Sequence, residues 1–272
     1  MKISKLILAI ILMVPLYASS QEKEQLNVPL TDPSKEGKLN VGLINGSIKI
    51  IGYAGKEVVV EGISVEKKQS KNNREASEGM KRITTNDGFE LTAKEKNNIV
   101  NVSVDNINLL VNLTIKVPHR FSLKVSTINN GDINVENVKG NLEISNINGF
   151  IRMKNIGGSV VANTINQDIV VNFTEVTPDT PMAFTTLNGK VDVTFPGNLK
   201  ADVKLKTDEG DIYSDFDIDI SKVPAKINKT TDSEKGYYKI KKEDWTFGKI
   251  NGGGSEIMMK TMNGDIYIRK VK

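Results

Sequence analysis

Residues 131–175 read GDINVENVK, GNLEISNIN, GFIRMKNIG, GSVVANTIN and QDIVVNFTE, five successive nine-residue units starting at Gly131, Gly140, Gly149, Gly158 and Gln167. The third position of each unit is apolar (Ile133, Leu142, Ile151, Val160, Ile169), and so is the fifth (Val135, Ile144, Met153, Ala162, Val171). Residues two apart on a strand project from one face, so these two columns line a common interior. The eighth position is apolar at Val138, Ile147, Ile156 and Ile165, until Thr174 breaks the column. Its parity is opposite, so the chain must turn between positions five and eight for all three columns to face inward. Asn137, Asn146 and Asn155 at position seven suit that turn, because Asn tolerates left-handed backbone and bonds its own main chain. Strand-plus-corner units at a fixed pitch predict a β-solenoid rather than a sandwich.

The signal recurs at looser spacing as LINGSIKI (43–50), TLNGKVDV (186–193), TDEGDIYS (207–214) and TMNGDIYI (261–268). The steps from Gln167 to Gly189 and on to Gly210 are 22 and 21 residues, and Gly210 to Gly264 is 54, three times eighteen. A doubled nine makes an 18-residue rung and a tripled nine a 27-residue rung; the spacing fits either.

Composition agrees. The chain has 272 residues with 22 Gly, and no helix-length apolar periodicity follows the first twenty residues. Formal net charge is +4; without residues 1–20, which carry Lys2 and Lys5, 35 basic residues face 33 acidic ones. That balance gives no broad attraction for nucleic acid.

Met1 to Lys5 is a basic start, Leu6 to Leu16 is apolar, and Ala18-Ser19-Ser20 offers small residues for cleavage. Residues 1–20 are therefore expected to be a signal peptide, the apolar run being too short for the roughly 20 residues of a spanning helix. With no Cys, the chain has neither disulfides nor a lipidated cysteine. The expected location is outside the cytoplasm: periplasm, outer cell surface or medium. Residues 21–272 read as one domain. Within it, 26–120 hold more irregular strands that cap the coil, and 121–272 hold the repeat rungs. Residues 67–82 are charged and read as a solvated loop.

Three stretches carry a resemblance: VNLTIKVPHRFSLKVST (111–127), the Asn-Gly-Asp-Ile rungs, and GKINGGGSEIMMKTMNGDIYI (248–268). In these the chain resembles the bacterial putative-adhesin family of exported β-strand-repeat domains, related to the head GIN adhesin domains. The resemblance implies a one-chain right-handed parallel β-helix and supplies no catalytic residues. The segment from Ser214 to Gly248 departs from it.

For chemistry, Asp132, Asp168, Asp211 and Asp265 share the place after the turn residue, which could set carboxylates of several rungs along one edge. Polysaccharide lyases and glycosidases on β-helices use such clusters, but an outward Asp beside a turn is ordinary surface chemistry, so no catalytic residue is assigned. His119 is the sole His and has no zinc partners. Calcium-binding nonapeptides need an Asp column; position six reads Glu136, Ser145, Lys154, Asn163, Asn172, so neither metal nor cofactor is expected. Tyr213 and Tyr267, each third after its Gly, and Tyr237, Tyr238 and Trp245 are the candidate binding residues. Aromatic faces beside Asn and Asp suit sugars; the competing reading is that they cap the coil.

The expectation is an all-β, single-strand parallel β-helix, right-handed by the usual crossover rule. Its expected function is adhesin-like binding or scaffolding at the cell envelope, with a cell-surface glycan or envelope protein as partner. A polysaccharide-active enzyme and a passive spacer are the alternatives. The final strand, 265–268, is expected to have a free edge shielded by Arg269, Lys270 and Lys272, and hence the protein to be a monomer.

Overall fold

The computed structural model describes residues 23–65, 88–221, 226–232 and 237–272; for 23–24, 226–232 and 237–243 the backbone alone is described. The expected signal peptide (1–20) and the charged segment 67–82 lie outside the described residues. Among those described the protein is all-β, without a helix. The chain runs β1 (Lys23–Pro29), β2 (Gly37–Asn45), β3 (Ile48–Tyr53), β4 (Glu57–Val65), β5 (Leu91–Lys96), β6 (Ile99–Val104), β7 (Leu110–Pro118) and β8 (Phe121–Asn129). Next come β9 (Ile133–Glu136), β10 (Lys139–Asn146), β11 (Ile151–Asn163), β12 (Ile169–Val176), β13 (Met182–Thr185), β14 (Val191–Phe195), β15 (Ala201–Glu209) and β16 (Ile212–Ser214). It ends with β17 (Ile218–Ser221), β18 (Lys226–Asp232), β19 (Tyr237–Glu243), β20 (Thr246–Ile250), β21 (Ser255–Asn263) and β22 (Ile266–Lys270). Twenty strands form one nearly closed, barrel-like sheet around a single apolar core, and β18 and β19 form a separate pair.

The register shows how the repeat is used. Ile151 pairs in parallel with Ile133 on one side and Ile169 on the other, so third positions stack on third positions at 18-residue intervals. Leu142 pairs with Val160 and Ile144 with Ala162 in a second column. Alternate nonapeptides therefore feed alternate columns, and the true repeat is eighteen residues in two strands. β11 is long enough to serve both: its first half pairs with β9 and β12, its second with β10 and β13.

The two corners differ, which corrects the expected inward eighth column. At one corner Asn137 and Asn155 adopt left-handed φ of 60° and 55°, and Val138 and Ile156 turn inward and are buried. At the other corner position seven turns inward instead: Thr127, Asn146, Thr164, Thr186 and Thr261 are buried. Each bonds a corner carbonyl of the neighbouring unit, as Thr127 Oγ1 does to Gly46 O at 2.9 Å and Asn146 Nδ2 to Gly131 O at 3.0 Å. The following residue is forced outward, so Ile147 and Ile165 are 36% and 43% exposed. Corners stack so closely that a Cβ on Gly149 would lie 2.0 Å from Gly131 O. The Gln at 167, where other units have Gly, sits at φ 105°.

Unit order in space is not unit order in sequence. β2–β3 lies between β6–β7 and β8–β9, so part of the N-terminal stretch is in register with the repeats. The outer strands β1, β4 and β5 pair antiparallel. At the other end β21–β22 is inserted between β13–β14 and β15–β16. The 54-residue step from Gly210 to Gly264 is thus a return to an adjacent unit. The expected free edge at 265–268 does not exist: β22 is paired on both sides. The end of that column is the short strand β16, while β20 and then β17 cover β15 in antiparallel pairing. No helix among the described residues is long and apolar enough to cross a membrane.

Candidate functional site

Tyr213 and Tyr267 occupy equivalent places in two copies of the Gly-Asp-Ile-Tyr corner, and the return of the chain makes those copies neighbours. They are register partners on β16 and β22, with ring centroids 5.2 Å apart and planes 13° from parallel. The outer face of Tyr267 is taken by Arg269, whose guanidinium carbon lies 4.8 Å from the ring centroid. Arg269 is fixed in turn by Asp192 on β14, at 2.7 Å from Nε and 3.2 Å from Nη2. Arg, Tyr and Tyr thus form a stack that ends on Tyr213, 49% exposed, at the limit of the column. Aromatic pairs of this offset kind are worth about 0.5–1.5 kcal/mol beyond area burial, so the platform is preformed.

Each hydroxyl is held by the carboxylate two residues earlier: Tyr267 Oη donates to Asp265 Oδ2 at 2.9 Å and Tyr213 Oη to Asp211 Oδ2 at 3.3 Å. The Asp265 carboxyl is held below its ordinary range, first by the Asp211 backbone N–H it accepts and then by the Tyr267 hydroxyl. The bond to Asp265 raises Tyr267, and the charge of Asp211 raises Tyr213. The Asp column has a structural task in addition. Asp132, Asp168 and Asp265 each accept the backbone N–H of the next unit, from Phe150, Lys190 and Asp211 at 3.0, 3.0 and 2.9 Å.

Of the other candidates, Trp245 is not part of this stack. Trp245 precedes β20 in the other column, with Lys204 Nζ 4.7 Å from its ring centroid. Tyr237 and Tyr238 lie on β19, whose side chains are outside the described residues. His119 Nδ1 lies 2.9 Å from the Asn137 carbonyl, a contact that requires the proton on Nδ1. Arg269 and Asp192, which complete the site, were missed from sequence, because 77 residues separate them. A different feature was equally invisible: Asn129, Asn148, Asn166, Asn188 and Asn263 bond side chain to side chain along the stack at 2.7–3.1 Å.

No family model matches the chain, and no curated protein matches it. Among solved structures, a putative cell adhesion protein from Clostridium sporogenes is similar at a TM-score of 0.44 and 14% identity, over 92% of this chain and 99% of that one.

Proposed function

We propose that the chain is an exported, non-catalytic envelope protein that binds carbohydrate from the surface of a right-handed parallel β-solenoid, in the manner of an adhesin. The observation that carries this reading is the Arg269–Tyr267–Tyr213 stack, which presents one open ring face at a fixed height beside Asp211. A pyranose ring presents C–H groups to an aromatic face and hydroxyls at its rim, and Asp211 is an acceptor within reach of that rim. The resemblance of 111–127 and 248–268 to exported adhesin domains points the same way. The engagement of Asp132, Asp168 and Asp265 with backbone N–H groups favours binding over hydrolysis, since paired acid–base carboxylates must be free to exchange protons.

A glycan array probed with the purified protein tests this. Retention of one glycan class is expected, abolished by Tyr213→Ala and unaffected by Trp245→Ala. An array without a hit, or binding that survives Tyr213→Ala, would refute the assignment of the site.

A further inference from the structure

We infer that the outward apolar ridge running along one corner is a lateral interface between two copies of this chain. Ile44, Ile128, Ile147, Ile165, Leu187 and Met262 occupy the same place in six adjacent units, and each is between 36% and 44% exposed. Single exposed apolar residues are ordinary, but a contiguous row marks an interaction surface. The row has a cause in the corner geometry, since the inward residue at position seven, Leu43 in one unit and Thr or Asn in the others, turns position eight outward. That cause fixes the direction of the residue and leaves its type open. In the next unit of the stack the same place holds Asp208, so the corner accepts a charged residue without difficulty.

Two residues earlier on the same strands lies a strip of short side chains, Gly42, Ser126, Ser145, Asn163 and Thr185, joined in register across the sheet and ending at Lys260 in the sixth unit. Ridge and strip run side by side along the stack. A two-fold axis parallel to the stack, between them, sets the ridge of each copy over the strip of the other. That is the self-complementary arrangement a symmetric dimer requires. A ridge one residue wide is too narrow for an interface of about 800 Å² per partner, but in this arrangement each copy contributes both ridge and strip. Spacing selects the partner as well. The ridge repeats once per strand, about 4.8 Å, and another ladder of this kind stays in step with it over six units. A polymer whose repeat is set by a different chemical unit drifts out of register. The Asn ladder, Asn129 to Asn263, borders the ridge as a polar rim.

Sedimentation equilibrium of the purified protein at tens of micromolar should give twice the chain mass. Ile147→Lys with Ile165→Lys should give a monomer whose thermal transition remains cooperative. A wild-type monomer, or a dimer that survives the double substitution, overturns the interface. The chain has no Cys, so introduced ones report geometry without background. A mixture of Ser145→Cys and Ile147→Cys proteins should form a disulfide-linked dimer on mild oxidation, while Ser145→Cys with Leu187→Cys should not. The reverse pattern would refute the parallel two-fold. A ridge variant that stays dimeric yet loses glycan would assign the ridge to a different partner.

Discussion

Asn263 donates its side-chain N–H to Asn188 Oδ1 at 2.7 Å across 75 residues of sequence. Asn188 donates in turn to Asn166 at 2.9 Å, so the ladder passes through the returned unit without a break. Asn188 is bonded on both sides and Asn263 on one. Asn188→Ala should therefore cost more than Asn263→Ala, by about 1 kcal/mol at most for exposed bonds of this kind. Urea melts of the two variants check the order, and equal midpoints would mean that the second bond of Asn188 contributes nothing.

Ile151 is buried between Ile133 and Ile169, and its neighbour Arg152 points outward to Asp132 at 3.2 Å and over the Phe150 ring at 4.1 Å. Ile151→Asp should cost at least 3 to about 5 kcal/mol by burying an unpaired carboxylate. Arg152→Asp loses an exposed pair worth about 1 kcal/mol or less. Comparable destabilisation of both in chemical denaturation would contradict the register.

Gln167 holds φ 105° at a corner where other units have Gly. Left-handed backbone at a non-Gly residue costs on the order of 1–3 kcal/mol, against less than about 1 kcal/mol of unfolded-chain entropy added by Gly. Gln167→Gly should raise the melting temperature. A lowered one would show that the Gln side chain makes compensating contacts.

Tyr213 and Tyr267 should ionise above the ordinary tyrosine value near 10, because Asp211 and Asp265 favour their neutral forms. Stability from this source is complete below the unfolded tyrosine value and is lost as pH rises through the raised one. For Asp265 the sign is opposite: its carboxyl is lowered, so its contribution is present above the unfolded carboxylate value and disappears as pH falls through the lowered one. Ultraviolet titration of Asp265→Asn should bring one tyrosine down. An unchanged curve would separate the hydroxyl from that carboxylate.

The strands and their interior face were legible because third and fifth positions obey a period of two whatever the corner does. The corners were not. Asn146 and Asn155 hold the same place in the repeat, yet one is buried against Gly131 O and the other turns left-handed. Nothing local in the sequence separates a side chain that bonds a neighbouring carbonyl from one that shapes its own backbone. The equivalence of Tyr213 and Tyr267 was visible in their shared motif; their contact was not, since it depends on a strand inserted from 54 residues away. Trp245 lies outside any repeat, so no pattern could place it.

The insertion of β22 between β14 and β16 also bears on mechanics. A strand at the end of a stack peels away one hydrogen bond at a time when its chain is pulled. A load entering β22 from its C-terminal side meets ladders on both flanks and must shear the two together. Arg269, locked to Asp192 near the point of entry, adds a charged clasp where the force first arrives. Tension from that side is therefore shared between β14 and β16 instead of peeling a single rim strand.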